Sequence, residues 1–287
     1  MRRDSGHVSH LLEINLAMLF ISTSGALGRY VDLPVPITIG IRALLAFALL
    51  WIYCRWKGLS FYIEIKDRLH IFLTGVLMGL HWIFYFYSLR LSNVAIGMLS
   101  LFTYPILTSF LEPLILKVKL QRVHLLLGLL VLFGIYFLVP DFDLENDYSI
   151  AVLLGMLSAF FYALRNILLK TKVNNYNGSV LMTYQAAIIG ILLLPALYRA
   201  DFELVLGQWK GLAALALLTT AIGHTLFLRS FQHFSITTAS IISSIQPVYG
   251  ILIGALFLSE IPSWTTIFGG ILILGSVIIE SVRSYKK

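Results

Sequence analysis

Polar and titratable side chains inside long apolar segments are the residues of this sequence that could do chemistry. His81 lies at the centre of one such segment, and helical spacing of three and four residues places it on one face with Thr74, Met78, Tyr85 and Ser88. An imidazole titrates near neutral pH, so it can bind a ligand or carry a proton. The mixed polar and aromatic face is typical of a cavity wall. The alternative is a structural histidine that is hydrogen-bonded to a neighbouring helix.

Two prolines, Pro105 and Pro247, lie within apolar segments that also contain several hydroxyl and amide side chains. A proline inside a helix removes a backbone donor and clashes with the preceding turn, so both positions predict helix kinks. Kinked or interrupted helices frame binding sites in many membrane proteins. The polar candidates beside the two prolines are Ser100, Thr103, Tyr104, Thr108, Ser240, Ser243, Ser244, Gln246 and Tyr249. These groups could recognise an amino or carboxylate group, or could join neighbouring helices.

An aromatic run at 81–87 and a second histidine add further candidates. One helix cannot point seven successive residues inward, so most rings of the run must face lipid or neighbouring helices. Trp82, Tyr85 and Tyr104 are the rings we expect at a site. His224 lies within a later apolar segment and has the same two interpretations as the first histidine.

A few charged residues also fall within or near the ends of apolar segments. Arg42 could contact an anionic ligand or extend its side chain to lipid headgroups. Glu112 could exchange protons, and the alternative is an ion pair with Lys117 or Lys119. Arg165 lies near the end of its segment, where we expect it to anchor the helix at the membrane interface.

The elements that must position these residues are long apolar helices. Hydrophobic residues make up 59% of the 287 residues and charged residues 12%, with a mean hydropathy of +0.88. Soluble domains carry about 25% charged residues, and a membrane-spanning helix needs about 20 mostly apolar residues. Ten segments meet that requirement, at about 11–31, 36–54, 70–90, 93–116, 123–140, 148–170, 178–198, 209–231, 235–258 and 264–283. The sequence therefore predicts an all-α membrane protein with ten transmembrane helices.

The lysine and arginine residues predict the orientation of these helices. With the N-terminus in the cytoplasm, fifteen of them fall in cytoplasmic segments and four fall outside. This asymmetry follows the positive-inside rule and places both termini in the cytoplasm of a multi-pass protein of the cell membrane. The net charge of +7 is then explained by topology, and we expect no nucleic-acid partner.

A polar connection at 141–148 divides the chain into two predicted halves of five helices, residues 1–140 and 141–287. Because five is odd, the second half must enter the membrane in the opposite orientation, which makes an inverted repeat. A shift of 142 residues aligns Ser88 with Ser230, Pro105 with Pro247 and Gly128 with Gly270. A shift of 143 residues aligns Ser92 with Ser235, Ser100 with Ser243 and His81 with His224.

Motifs that would indicate an enzyme or a cofactor are absent from the sequence. It contains no phosphate-binding loop of the form GxxxxGK[ST], no HExxH zinc motif and no serine nucleophile elbow. Its histidines are scattered singly, and its one cysteine, Cys54, excludes a disulfide framework. We therefore expect no catalytic residues, no metal site and no cofactor.

The segments 89–106 and 231–248 share small residues and a central proline, and 249–275 contains a glutamate, Glu260, before a glycine-rich final segment. In this pattern the sequence resembles the EamA branch of the drug/metabolite transporter superfamily over nearly the whole chain. The first half departs from the pattern, because Val118 stands where a glutamate matching Glu260 would be expected.

The resemblance implies a ten-helix inverted-repeat carrier with a central cavity and alternating access, which exports or exchanges small metabolites, commonly amino acids. Nucleotide-sugar transporters share this architecture, so an exchanger of anionic metabolites is an alternative, with Arg42 or Arg165 at its cavity. A membrane-embedded lipid-modifying enzyme is an alternative of another class and would need clustered titratable groups. We expect a small-molecule substrate, a lipid bilayer around the chain, and a monomer or a homodimer.

Overall fold

The computed structural model describes residues 2–117, 122–138, 143–170, 172–173, 175–230, 232–233 and 243–285. Within these ranges the chain forms helices and no β-strand. The helices are α1 (Arg2–Tyr30), α2 (Val35–Trp56), α3 (Ile65–Leu91), α4 (Val94–Leu101), α5 (Tyr104–Leu116), α6 (Arg122–Leu138), α7 (Asp147–Lys170), α8 (Gly178–Leu192), α9 (Leu194–Leu197), α10 (Phe202–Gly207), α11 (Trp209–Ser230), α12 (Gln246–Leu258) and α13 (Trp264–Tyr285). The all-helical prediction is confirmed for the described residues.

Five stretches of the described chain are helical, long and apolar enough to cross a membrane. They are α2, α3, the α4–α5 stretch Val94–Ile115, α7 and α11. Shorter apolar helices at Leu125–Leu138, Gly178–Leu192, Gln246–Leu258 and Trp264–Ile279 coincide with four further predicted spans, and α1 covers the first. The predicted span at about 235–258 begins outside the described residues. The count of ten crossings stays a prediction.

Both prolines of the sequence pattern, Pro105 and Pro247, lie in the first turn of a helix. The chain leaves α4 at Leu101, and α5 begins at Tyr104 after a short turn. A proline suits a helix start, because the backbone N–H that it lacks has no partner in the first turn. Pro105 therefore marks an interruption between two helices where the sequence analysis predicted a bend within one.

Helix α11 contains a π-helical segment over Leu215–His224. Segments of this kind are rare and frequently occur at functional sites, because the wider turn re-aims the side chains that follow. His224 is the last residue of the segment. The sequence pattern gives no indication of the π-helical turns.

The helices pack so that α3 contacts α7 and α8, α1 contacts α11 and α12, and α6 contacts α13. Two glycines of α12, Gly250 and Gly254, allow a close approach to α4. A Cβ at Gly250 would clash with Met98 Sδ, and one at Gly254 would lie 3.0 Å from Val94 Cβ. Both glycines therefore pack against α4 of the same chain. The prediction of a monomer or a homodimer stays a prediction.

Candidate functional site

A cavity of about 20 Å³ lies between helices that come from both ends of the chain, and it has room for about one water molecule. The sequence-predicted candidates in its lining are Arg42, His81, Trp82, Tyr85, Tyr104, His224 and Gln246. Its other described lining residues are Ile21, Ser24, Leu101, Phe102 and Tyr162. Tertiary packing thus brings together residues that are far apart in the sequence.

Arg42 of α2 is fully buried beside this cavity, with 1% of its surface exposed. Its Nε donates a hydrogen bond to Thr220 Oγ1 at 2.8 Å. Its guanidinium carbon lies 4.1 Å from the ring centroid of Trp82 and 5.5 Å from that of Phe86, so one face of the group stacks on aromatic rings. The two terminal nitrogens, Nη1 and Nη2, have no hydrogen-bond partner among the described residues. The alternative of an arginine that extends to the headgroups is wrong.

His81 of α3 both lines the cavity and bonds a neighbouring helix. Its Nδ1 lies 2.7 Å from Ser158 Oγ, and that hydroxyl donates to the backbone oxygen of His81 at 2.8 Å. Since the hydroxyl proton points to the carbonyl, the serine oxygen accepts from Nδ1–H, which fixes the ring. The imidazole stacks on Tyr162 with the centroids 4.5 Å apart. His81 therefore fits both interpretations, since it lines a cavity and also forms a hydrogen bond to a neighbouring helix.

Three aromatic or polar residues connect the cavity to the helix interruptions. The hydroxyl of Tyr104, in the first turn of α5, lies 3.0 Å from Oγ of Ser243, which precedes α12. The ring of Tyr104 also packs edge-on against Tyr162, 4.9 Å between centroids. At the start of α12, the backbone oxygen of Gln246 accepts from Ser22 Oγ at 2.9 Å. The sequence analysis missed Tyr162, which lies on the same face of α7 as Ser158 by helical spacing.

Three other predicted candidates lie away from the cavity lining or outside the described part. Ser100 donates to the backbone oxygen of Ile96 at 2.7 Å and packs against Gly155, so its contacts are structural. Tyr249 is half-buried and packs against the main hydrophobic core. Ser240 lies outside the described residues.

Arg165 of α7 differs from its sequence prediction. It is fully buried, and its Nε and Nη2 donate to Gln185 Oε1 at 3.2 and 2.9 Å. Its Nη1 donates to Asn166 Oδ1 at 2.9 Å. The prediction of an interface anchor is wrong, because a neighbouring helix, α8, supplies a polar acceptor in the interior.

Glu112 forms an ion pair with a lysine that the sequence analysis did not consider. Its Oε1 lies 2.5 Å from Lys170 Nζ, at the ends of α5 and α7. Both side chains are partly exposed, at 30% and 39%. Pairing with Lys117 is therefore wrong, because helix packing, and not sequence proximity, selects the partner. Lys119 lies outside the described residues.

The opposite end of the bundle contains an ion pair between Arg29 and Glu260. Arg29 Nε lies 2.8 Å from Glu260 Oε1, and Glu260 Oε2 accepts from the backbone N–H of Val94 at 2.7 Å. One carboxylate thus joins α1, the loop after α12 and the first turn of α4. We call this the outer ion pair and Glu112–Lys170 the inner ion pair, after the predicted topology.

A buried carboxylate at the predicted inner end, Asp67, has two partners from the loop after α7. Lys172 Nζ lies 2.6 Å from Asp67 Oδ1, and the Tyr176 hydroxyl donates to Oδ2 at 2.7 Å. The hydrogen bond to the carboxylate raises the pKa of Tyr176 above its usual value. Among the described residues, each end of the bundle is therefore held by charged contacts, whereas the cavity lining contains no carboxylate.

Comparisons with known proteins agree with this architecture. The family model of the EamA-like transporter family matches residues 10–139 and 149–282. The pseudopaline exporter CntI of Pseudomonas aeruginosa is 25% identical over 251 residues, which are 87% of each chain. The uncharacterised transporter YwfM of Bacillus subtilis is 21% identical over 282 residues, which cover 96% of this chain and 95% of that one.

A solved crystal structure supports the fold. It superposes with a TM-score of 0.71 at 16% sequence identity and covers 97% of this chain and 98% of its own. At this identity the likeness concerns the fold alone.

Proposed function

Because the chain belongs to the EamA-like transporter family, we propose that it is a secondary carrier that moves a small metabolite across the cell membrane by alternating access. The observation that supports this most is the cavity, since both ranges that match the family model contribute to its lining. Arg42 and His81 come from the first range, and Tyr162, His224 and Gln246 come from the second. A site shared by two halves is where inverted-repeat carriers bind their substrates.

The size of the cavity supports a conformational cycle. At about 20 Å³ it holds a water molecule but no metabolite, so the substrate must enter after one end has opened. In this proposal the structure represents a state that is closed around the site. Closure around a bound substrate is a common step in carriers and enzymes alike.

The two ion pairs lie where such ends would open. Arg29 ends the first helix of the proposed first half, and Lys170 ends the first helix of the proposed second half. Their partners are Glu112, which belongs to α5, and Glu260, which follows α12. Both helices have a proline in the first turn. The outer and inner ion pairs thus join equivalent helices of the inverted repeat, so we propose that they break in turn as each side opens.

The proposed direction is outward, with both termini in the cytoplasm. The exporter among the relatives and the fifteen-to-four distribution of positive charges support these two points. A lipid-modifying enzyme would bring His81 and Glu112 together at one interface. Their described partners are instead Ser158 in the interior and Lys170 at a helix end.

Proteoliposomes that contain the purified full-length protein test the proposal. We expect accelerated flux of at least one compound from a panel of labelled amino acids, organic acids and neutral metabolites. Ser24→Phe places a ring in the cavity and should stop this flux, whereas Ser60→Phe, in an exposed loop, should not. No accelerated flux for any compound, from a sample shown to be folded, would contradict the proposed function.

A further inference from the structure

We propose that the substrate of this site is a small organic anion whose carboxylate is bound by the terminal nitrogens of Arg42. This inference rests on the proposed function and specifies the chemical class of the substrate. It starts from an unpaired buried charge, since Nη1 and Nη2 of Arg42 have no partner among the described residues. A guanidinium stays protonated in proteins, and burying such a charge without a partner is costly.

The guanidinium of Arg42 keeps hydrogen-bonding capacity that its described contacts do not use. The Trp82 ring covers one face of the guanidinium, with its centroid 4.1 Å from the guanidinium carbon. Nε already donates a hydrogen bond to Thr220 Oγ1 at 2.8 Å. The in-plane N–H groups of Nη1 and Nη2 remain. Two parallel N–H groups match the two oxygens of a carboxylate, which is the geometry of bidentate recognition. One water molecule in the cavity would accept a hydrogen bond from this edge, but it would not neutralise the charge.

Further buried polar atoms of the cavity lining lack partners in the described part of the chain. Among them are the indole Nε1 of Trp82 and Nδ1 of His224. The two rings lie 5.7 Å apart between centroids, and both line the cavity. An indole N–H is a donor only, so it adds to a site that donates hydrogen bonds to an acceptor-rich ligand. Such unpaired groups are rare in protein interiors and call for an explanation.

The described part of the chain brings no carboxylate to this cavity. Among the described residues the lining contains no aspartate or glutamate, and the segment 234–242, outside them, contains none in its sequence. The second buried arginine, Arg165, has its guanidinium carbon 5.9 Å from the Tyr162 ring centroid and adds positive potential. Its donors are occupied by Gln185 and Asn166, so it is not free to bind a ligand in the same way.

The same features discriminate against a free amino acid. An α-ammonium group that enters the site would meet the field of Arg42 and would find no carboxylate among the described lining residues. The lining rings, among them Tyr85 and Phe102, suit an apolar or aromatic body. We therefore infer a preference for net-anionic carboxylates, such as 2-oxo acids or N-acylated amino acids, over zwitterions with the same skeleton.

Equilibrium binding to the purified full-length protein tests this preference with two matched sets of probes. One set is 3-phenylpropionate, 3-phenylpropanamide and phenylalanine, and the other is 4-methylpentanoate, 4-methylpentanamide and leucine. Within a set the carbon skeleton is constant and the charge changes from anion to neutral to zwitterion. Thermal unfolding is measured at constant ionic strength, because a ligand that binds the folded state raises the unfolding temperature.

We expect both acids to raise the unfolding temperature, and we expect their affinities to exceed those of the amides and the amino acids by roughly tenfold or more. Arg42→Gln should remove the response to the acids. Arg199→Gln, which removes the same charge from an exposed position, should retain it. The comparison within the native protein remains decisive if Arg42→Gln does not fold.

Three results would overturn the inference: amides that bind as tightly as the acids, amino acids that bind more tightly, or no response of the native protein to either acid. Flux measurements separate this inference from the proposed function. Carboxylate binding without flux contradicts the function alone. Flux of neutral compounds that persists in Arg42→Gln, together with no binding of carboxylates, contradicts the inference alone.

Discussion

Two arginines, Arg42 and Arg165, are both fully buried, but their guanidinium groups differ in how many of their nitrogens form hydrogen bonds. All three donor nitrogens of Arg165 reach an oxygen of Gln185 or Asn166. Arg42 has one such bond, to Thr220, while its two terminal nitrogens have none in the described structure. The sequence analysis grouped both as candidates for an anionic substrate.

The difference shows how a fold separates structural charge from functional charge. Hydrogen-bond acceptors around Arg165 compensate part of its lost hydration and fix the α7–α8 contact. Arg42 instead lines a cavity and stacks on aromatic rings, so in our proposal the compensating group is a bound ligand.

Gln185→Leu removes the oxygen that accepts two hydrogen bonds from Arg165. We expect it to lower the free energy of unfolding by about 3 kcal/mol, because each bond to a charged group is worth about 1.5–3 kcal/mol. Reversible denaturation of the detergent-solubilised protein measures the change. Gln185→Glu keeps an acceptor and should restore most of the stability. Equal stability of Gln185→Leu and the native protein would show that Arg165 is not held by this contact.

Arg42→Met should change the free energy of unfolding in the opposite direction. We expect it to stabilise the ligand-free protein by about 2 kcal/mol. A buried charge without its partner is replaced by a side chain that packs on the Trp82 ring, and such replacements are often stabilising. The same denaturation measurement, made without added carboxylates, gives the answer. A less stable Arg42→Met protein would mean that Arg42 has a structural role like that of Arg165.

Glu260→Gln tests an arginine, Arg29, whose partner is a carboxylate. This side chain is 18% exposed and accepts from both Arg29 and the Val94 N–H at the start of α4. We expect a loss of about 1 kcal/mol, since the substitution removes an ion pair and a favourable charge at a helix N-terminus. Glu260→Asp, which retains the charge, serves as the control. A neutral effect of Glu260→Gln would leave the outer ion pair without a stabilising role.

Glu112→Gln should have the smallest effect, about 0.5 kcal/mol or less. Both side chains of the inner ion pair are more exposed than those of the outer one, and solvent screens such pairs. At high ionic strength the stability difference between Glu112→Gln and the native protein should disappear. The stability difference for Glu260→Gln should depend less on salt. If Glu112→Gln is more damaging than Glu260→Gln at every salt concentration, the ranking by exposure is wrong.

Much of the candidate site could be predicted from the sequence. His81, Arg42, His224 and Gln246 stood out because polar groups are rare in apolar segments, and the structure places all four at one cavity. Tyr162 was missed because a tyrosine within an apolar helix gives no signal of its own. Its place at the cavity depends on the contact of α7 with α3, which no local pattern encodes.

Partners of charged residues were the least predictable feature. One interpretation of Glu112 was an ion pair with a lysine about one turn away, and its partner is Lys170, 58 residues further along the chain. Arg165 was expected at the interface, and Gln185 holds it inside. In both cases the competing positions lie on different helices, so only the packing of those helices decides between them.

The sequence by itself determined that this chain is a helical membrane protein. Composition and the length of apolar segments are local properties, and they decide whether a segment can span a bilayer. The sequence also limited the site to a small set of polar residues. Only the tertiary structure decided which of them meet, which charge is compensated and which is left open. Hydrogen bonds and ion pairs extend over about 3 Å, so their partners are fixed by distances that exist only after the helices have packed.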